Sequence, residues 1–499
     1  TSDKVGTTML ETIDFDAKLS KEEYDELLKT LSVDLTMLQQ QIIGKKIPVV
    51  ILFDGLSASG KGATIASLIL NFDPRGFMVH STRTPEPAEL RKPWMARFAQ
   101  KMPGYGRIAI FDRSWYSGMF MQGIPQKMSG FDSYIEDINV FERQLADDGY
   151  LILKYFLHIS KKEQKKRIDK LLSKKSTAWR VSKNDKYNLK NYESVCAAHE
   201  ELLQKTNSPH AKWNVVSATD KRYVRATVFT SIAQALRERI AQDDAEKPVI
   251  ESPIINQKFQ LNPQQKIEDC NLAATIEEQE YLEKLKELQK KLGELHNVLY
   301  KKKIPMIIGY EGNDAAGKGG NIKRVARALD PRGYAVTPIA APSTLELNHQ
   351  YLWRFWNALP RTGHIEIFDR TWYGRVLVER VENLTPHNRI MQAYNEINEF
   401  EYMLHKWGAI VLKYWIAIDK EEQLKRFELR QNTPEKQWKI TDEDWRNRDK
   451  WDDYQVAIDD MLKYTDTQHA PWLVVASNNK HYARIATLQS IIKEIEKRI

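Results

Sequence analysis

Residues 309–320 read GYEGNDAAGKGG, and this stretch decides the fold. Gly312, Gly317 and Lys318 have the G-x-x-x-x-G-K spacing of a phosphate-binding loop, in which glycines let successive backbone N–H groups point at phosphate oxygens. An apolar run precedes this phosphate loop and a helical pattern follows it, so the dipole of a helix N-terminus adds to the anion cradle. The predicted substrate-binding residues of the loop are Gly312, Asn313, Ala315, Ala316, Gly317 and Gly319.

Two residues depart from the usual loop. Gly319 stands where a P-loop NTPase carries Ser or Thr, whose hydroxyl ligates Mg²⁺. Asp314 lies among groups that hold anions, and a carboxylate among phosphates is repulsive unless a divalent cation sits between them. We therefore interpret Asp314 as a metal-facing or phosphate-facing acid. An Asp used only for turn geometry is the alternative.

Length and charge narrow the class of protein. The chain has 499 residues, which is too long for one ordinary domain, and its net charge of +8 favours anionic partners. Cys196 and Cys270 are expected to be thiols rather than a disulfide framework. The N-terminal residues lack a signal-peptide pattern and no apolar run reaches membrane-spanning length, so the cytoplasm is the expected compartment.

The chain repeats itself. FDGLSASGKG from Phe53 matches YEGNDAAGKG from Tyr310, an offset of 257 residues, and IAIFDRSWYSG matches IEIFDRTWYGR at the same offset. This period is far too long for a solenoid, so it predicts two tandem domains of one fold. The predicted boundaries are residues 1–240 for the first domain, 241–265 for a linker and 266–499 for the second domain.

Each copy alternates apolar runs with helical segments. An amphipathic helix opens each copy, at about residues 20–43 and 274–300. The alternation predicts an α/β fold with a parallel sheet covered by helices on both faces. In such a sheet, ligands bind at the carboxyl ends of the strands.

A second acid ends an apolar run. HIEIFDRTWYGR places Asp369 at the end of a strand, where a P-loop site carries the Asp that holds or orients Mg²⁺. Arg370 and Arg375 follow, and a guanidinium offers a fork of donors suited to phosphate. The alternative is a structural Asp369 that forms a salt bridge with Arg370.

Residues 420–450 follow the fourth apolar run and are predicted to form a mobile basic lid over the phosphates. Arg426 and Arg430 are four residues apart and share a helix face, and Lys436 and Lys439 follow near a proline. A solvated charged face is the alternative reading of these residues.

Together these motifs resemble the polyphosphate kinase 2 family. The matching stretches are GNDAAGKGG, DPRG, HQYLWRFW, IFDRTWYGRVLVERVE, KEEQLKRF and KWDDY, and two fused copies resemble the class that transfers phosphate from inorganic polyphosphate to AMP. The resemblance implies a P-loop kinase-like α/β/α sandwich with a helical lid in each copy. It also implies polyphosphate and AMP or ADP as partners, a homo-oligomer, and neither nucleic acid nor membrane.

The resemblance also assigns roles. It implies a Mg²⁺ ion held by Asp314 and Asp369. The implied catalytic residues are Asp314, Lys318, Asp369, Arg370 and Arg375, and the implied lid residues that bind substrate are Arg426, Arg430, Lys436 and Lys439.

Two other functions stay open from the sequence. An ATP-using nucleoside monophosphate kinase shares the fold, although Gly319 and Asp314 weigh against it. A non-catalytic scaffold could bind polyphosphate or nucleic acid through a basic surface.

The first copy has lost parts of the motif set. Ser57 stands at the position of Asp314, and Gly118 at that of Arg375. Its lid, residues 161–190, carries twelve Lys or Arg and three Asp or Glu, a net of +9, whereas residues 420–450 carry nine and eight, a net of +1. We predict that the first copy is catalytically degenerate and acts as a structural partner that could also hold polyphosphate.

Overall fold

The computed structural model of the chain describes residues 8–121, 131–242 and 248–499. These residues fall into two compact units, formed largely by the first and the second half of the chain. The short segment Pro87–Ala96 belongs to the second unit, and Asn348–Gln350 belongs to the first.

The first unit contains a five-stranded parallel sheet in the order β2-β3-β1-β4-β5. Its strands are β1 (Val49–Gly55), β2 (Phe77–Ser81), β3 (Ile108–Asp112), β4 (Leu151–His158) and β5 (Trp213–Ser217). The helices in the first half of the chain are α1 (Lys21–Gly44), α2 (Lys61–Leu68), α3 (Ala96–Ala99), α4 (Trp115–Met121), α5 (Phe131–Asp147), α6 (Lys161–Leu172), α7 (Lys175–Ala178), α8 (Lys183–Lys190), α9 (Tyr192–Lys205) and α10 (Lys221–Gln242).

The second unit repeats this sheet with the order β7-β8-β6-β9-β10. Its strands are β6 (Met306–Gly312), β7 (Tyr334–Pro338), β8 (Ile365–Asp369), β9 (Ile410–Ala417) and β10 (Trp472–Ala476). Its helices are α11 (Glu278–Lys302), α12 (Lys318–Ala326), α13 (Thr344–Leu347), α14 (Trp353–Ala358), α15 (Val378–Val381), α16 (His387–Lys406), α17 (Lys420–Gln431), α18 (Asp442–Asp449), α19 (Trp451–Thr465) and α20 (Lys480–Arg498).

The core of each unit lies between the sheet and its helices. In the second unit, Leu292 and Leu299 of α11 pack with Met306 and Ile308 of β6 and with Ile491 of α20. The interior strand β9 is buried along all eight residues, as expected for a parallel strand covered on both faces. The predicted fold class, a parallel α/β sandwich in two tandem copies, is confirmed.

A buried ion pair recurs in both units. Lys413 of β9 donates to Glu401 of α16 at 2.9 Å and to the hydroxyl of Tyr373 at 2.7 Å, and Lys154 makes the same two bonds to Glu142 and Tyr116. Burial raises the pKa of Glu401 and lowers that of Lys413, while the partner's charge opposes each shift. Tyr373 lies four residues after Asp369, at the end of β8. The Lys413–Glu401 pair therefore holds the segment that follows this strand end in place.

The predicted linker, residues 241–265, is described from residue 248 onward, and its residues 243–247 lie outside the described part of the chain. Residues 248–265 form neither helix nor strand, yet they are hydrogen-bonded along the second unit. The amides of Ile250 and Asn256 donate to Asn388 and Asn395 of α16, and the side chain of Asn262 donates to Asp466. This segment is therefore attached to the second unit rather than a free tether.

Within the described residues, no helix combines the length and the apolar character that crossing a membrane requires. Cys196 and Cys270 are half-buried free thiols.

Candidate active site

The phosphate loop of the second unit, residues 312–318, joins β6 to α12. Gly312 has φ +155°, and a Cβ there would lie 2.5 Å from the carbonyl oxygen of Ile416, so only glycine fits. Gly317 has φ +105° and is the N-cap of α12, which begins at Lys318. Ala315 also has a left-handed backbone, with φ +62°. These turns wrap the loop around the N-terminus of α12.

Asp314 is bound by side chains outside the loop. One carboxylate oxygen accepts from Asn447 Nδ2 at 2.8 Å, and the other accepts from Arg370 Nη2 at 3.5 Å. Gln423 donates to the backbone carbonyl of Asp314 at 3.1 Å. These contacts come from the lid and from the residue after β8, so they favour a functional acid over an Asp that only shapes a turn.

A cavity of about 750 Å³ lies above the loop. Most of the predicted site residues line it: Asp314, Ala315, Ala316, Gly317, Lys318, Gly319, Asp369, Arg370, Arg426, Arg430, Lys436 and Lys439. The carboxyl ends of β6 and β8, the N-terminus of α12 and the lid therefore meet at one place, as the motif order predicted.

Gly312, Asn313 and Arg375 do not line this cavity. The carbonyl of Gly312 accepts from Lys318 Nζ at 2.8 Å, and the Asn313 side chain accepts from the amide of Ile418 at 3.4 Å. Both residues therefore stabilise the loop conformation and do not face the cavity.

Arg375 faces away from the loop. Its guanidinium donates to Thr385 at 2.8 Å, pairs with Glu379 at 3.2 Å and lies 4.3 Å from the ring centre of Tyr351. A catalytic role for Arg375 stays a prediction that this geometry does not favour.

Arg426 holds the loop rather than offering free donors. Its Nη1 donates to the carbonyls of Ala315 and Ala316 at 3.0 and 2.9 Å, its Nη2 donates to those of Ser477 and Asn478, and its Nε pairs with Glu422. Arg167 makes the same set of bonds in the first unit. Because the five N–H groups of the Arg426 guanidinium are already used in these bonds, the main effect of Arg426 is to fix the loop backbone.

The lid forms α17, a 3₁₀ turn at Pro434–Lys439 and α18. Arg430 of α17 donates to the carbonyl of Lys439 at 3.0 Å and thereby braces that turn. Trp438 in the turn lines the cavity although three quarters of its surface is exposed. The helical lid that the resemblance implied is present.

Glu311 connects the loop strand to the strand that carries Asp369. Its carboxylate accepts from the amide of Thr371 at 2.7 Å and from the Thr371 hydroxyl at 2.8 Å. Burial raises the pKa of Glu311, and the nearby Lys318 opposes that shift. Arg370, between Asp369 and Thr371, has a left-handed backbone with φ +67°, so this contact fixes a strained turn beside the loop.

Lys480 and Arg484 of α20 also line the cavity, and they were missed among the candidate residues. Burial lowers the pKa of Lys480 to about 8, with further lowering by Arg426, Arg484 and Arg430. The internal repeat carries a signal for these two residues, because KHYAR in the second copy matches KRYVR in the first. Lys221 and Arg225 stand at the same positions of the first copy. Such a cluster of cations suits a polyanion.

The residues fit a divalent cation. Asp314 and Asp369 line one cavity, and Mg²⁺ is commonly held by one or two carboxylates together with substrate phosphates. Over residues 8–121, 131–242 and 248–499, no group of three His, Cys, Asp or Glu side chains forms a metal site made by the protein alone. The phosphates of a substrate would complete the coordination.

The loop of the first unit differs in the burial of its lysine and in the residue at the position of the acid. Lys61 is buried and donates to the carbonyls of Gly55 and Leu56, both at 3.0 Å, and burial lowers its pKa to about 8. Ser57 replaces the acid and accepts from Asn188 at 3.4 Å. Lys61 is thus bonded to its own loop backbone, as Lys318 is to Gly312 in the second unit, but Lys61 is more deeply buried.

Two parallel sheets with phosphate loops, a strand-end acid in each and a helical lid define a tandem P-loop phosphotransferase. The family model of polyphosphate kinase 2 (PPK2) matches residues 18–244 and 275–499. The chain belongs to the polyphosphate kinase 2 family.

Curated relatives match over nearly the whole chain. A polyphosphate:AMP phosphotransferase of Pseudomonas aeruginosa is 37% identical over 98% of this chain and 99% of its own. One of Pseudomonas syringae pv. tomato is 36% identical over 98% of both, and one of Acinetobacter johnsonii is 36% identical over 90% of both. A crystal structure from Pseudomonas aeruginosa, described as a polyphosphate kinase 2, has a TM-score of 0.85 at 36% identity, covering 98% of this chain and 99% of its own.

Proposed function

We propose that the chain transfers the terminal phosphoryl group of inorganic polyphosphate to AMP, giving ADP and a polyphosphate shortened by one unit. The relatives that carry this activity in their names match 90–98% of the chain. The observation that carries the proposal is Asp314, which sits inside an anion cradle, contacts Arg370 and the lid, and precedes a loop position that lacks the NTPase hydroxyl.

In the proposed reaction, an oxygen of the AMP phosphate attacks the terminal phosphorus of the polyphosphate. A bond forms between that oxygen and phosphorus, and the bond from the same phosphorus to the bridging oxygen of the chain breaks. The electron pair stays on the shortened chain. Lys318, the loop amides and Arg370 stabilise the charge on the transferring group, which is the main demand of phosphoryl transfer.

We propose Mg²⁺ as the divalent cation, held by Asp314 and Asp369. When bound, it would neutralise phosphate charge and orient the oxygens of donor and acceptor. Asp314 itself would orient the attacking oxygen, and Asp369 would present its carboxylate to the cation from the end of β8.

Cations of the lid and of α20 are the proposed binding groups for polyphosphate. We assign polyphosphate to Arg430, Lys436 and Lys439 of the lid together with Lys480 and Arg484, because all five cations line the cavity. Arg426 acts through the loop backbone that it holds. The first unit is proposed to be catalytically degenerate, and a cytoplasmic location and a homo-oligomeric assembly stay predictions.

A donor assay tests the proposal. Purified chain is incubated with AMP and Mg²⁺, with polyphosphate in one reaction and ATP in the other, and ADP is quantified. We expect ADP formation that depends on polyphosphate, with the polyphosphate chain shortening by one phosphate per ADP. ADP formation from ATP alone would instead identify a nucleoside monophosphate kinase, and no ADP from either donor would indicate a scaffold.

A further inference from the structure

Asn447 of α18 reaches from the lid to the acid of the phosphate loop. Its Nδ2 lies 2.8 Å from Asp314 Oδ2, and both residues line the cavity. A hydrogen bond to an ionised acceptor is roughly twice as strong as one between neutral groups. The lid is therefore fastened at the acid by a short, charge-assisted contact.

Tyr454 sets the orientation of the Asn447 amide. The Tyr454 hydroxyl lies 3.3 Å from Asn447 Oδ1. Burial raises the pKa of Tyr454, and the charge of Asp314 raises it further, so the hydroxyl keeps its proton and donates. An amide whose oxygen accepts from Tyr454 must present its NH₂ group to Asp314.

A second path ties the same lid helix to the same loop residue. Arg448 of α18 donates to the carbonyl of Lys420 at 2.6 Å and to the Gln423 side chain at 3.3 Å. Gln423 in turn donates to the backbone carbonyl of Asp314. Side chain and main chain of Asp314 are thus both bound by lid residues.

The first unit provides an internal contrast. Asn188 occupies the place of Asn447, but it meets Ser57 at 3.4 Å rather than a carboxylate. Val195 stands where Tyr454 is, and Leu189 where Arg448 is. The asparagine is kept, while the acid and both supporting side chains are absent at those three positions.

We propose that Asn447 is a positioning residue that couples closure of the lid to the acid of the loop. It holds the carboxylate of Asp314 toward Arg370 and, through the same bond, holds α18 over the cavity. The functional importance of this bond rests on the role of Asp314 in the proposed function, whereas the bond itself can be tested separately.

A charge swap tests the bond without relying on activity. Asn447→Asp places two carboxylates face to face, so we expect amide hydrogen exchange in α18 to accelerate by about tenfold or more in the full-length protein. Adding Asp314→Asn restores an amide–carboxylate pair with the partners reversed. Tyr454 and Arg370 keep acceptors in that double variant, so protection of α18 should return to within about threefold of wild type.

Unchanged hydrogen exchange in Asn447→Asp, or a double variant that is folded but whose α18 amides stay unprotected, would overturn the proposal.

Measuring turnover gives a second, independent test. Asn447→Ala should lower kcat by about tenfold to a hundredfold without lowering Tm, while the matched Asn188→Ala stays within about twofold. A kcat for Asn447→Ala within twofold of wild type would also overturn it. Turnover that does not depend on Asp314 would instead remove the proposed role of the acid, and the exchange data would stand by themselves.

Discussion

Lys61 Nζ lies 3.0 Å from the carbonyl oxygen of Leu56, inside its own phosphate loop. The corresponding Lys318 Nζ donates to the carbonyl of Gly312 at 2.8 Å, as Lys61 does to Gly55, but Lys318 lines the cavity and is less buried. Both lysines therefore contact the backbone of their own loop, and they differ in that Lys61 is buried whereas Lys318 is partly exposed to the cavity. This difference supports the assignment of catalysis to the second unit.

Replacing each loop lysine by alanine should distinguish the catalytic contributions of the two units. Lys318→Ala should remove nearly all turnover, because a cation that stabilises the transferring group is lost, a change of about a thousandfold. Lys61→Ala should leave kcat within a few-fold of wild type. Circular dichroism of both variants controls for folding. Comparable losses of kcat in the two variants would show that both units take part in transfer.

Arg430 and Arg426 should affect different kinetic constants. Arg430→Ala removes a lid cation, so the KM for polyphosphate should rise more than the KM for AMP, and the salt dependence of that KM should become shallower. Arg426→Ala frees the carbonyls of Ala315 and Ala316, so it should lower kcat and Tm together. Equal changes in both KM values for Arg430→Ala would place this residue on the solvated face of the lid.

The lowered pKa of Lys480 predicts a pH dependence. Its amine is charged below about pH 8 and neutral above it, so an anion-binding charge is lost as the pH rises through 8. The KM for polyphosphate should therefore increase between pH 7 and pH 9. Lys480→Arg keeps its charge throughout and should flatten that increase. Identical pH profiles for wild type and Lys480→Arg would exclude Lys480 from polyphosphate binding.

The buried pair of Lys413 and Glu401 should matter for stability. Lys413→Met leaves the Glu401 carboxylate buried without its cation, and breaking such a pair costs about 3–5 kcal/mol. Chemical denaturation followed by circular dichroism should show this loss in the free energy of unfolding. Lys493→Met, at an exposed position of α20, is the matched control and should be nearly neutral. A small loss in Lys413→Met would mean that water or neutralisation of Glu401 compensates the charge.

The sequence predicted the fold well because the repeat and the strand–helix alternation are local patterns. Asp314, Lys318, Asp369 and Arg370 were predicted together because motifs at the carboxyl ends of neighbouring parallel strands must meet at one edge. Arg375 follows the same strand, yet the turn after β8 carries it to Tyr351, and side-chain direction after a turn is set by packing.

Other contacts could not be read from spacing. The sequence alone predicts Arg426 as a free lid cation, and only the folded chain shows that its donors are used by carbonyls of the loop and of the residues after β10. Asn447 lies 133 residues from Asp314 in sequence, and a single asparagine in a charged helix carries no pattern that indicates such a contact.

Replacing Asp314 tests the central claim most directly. Polyphosphate-dependent formation of ADP is measured for wild type and for Asp314→Ala at saturating Mg²⁺, with folding of the variant checked by circular dichroism. We expect kcat to fall by about a thousandfold, because an anchor for metal and phosphate is lost at the reacting group. If Asp314→Ala keeps more than about a tenth of the wild-type kcat, the acid is only a turn residue and the proposed mechanism is wrong.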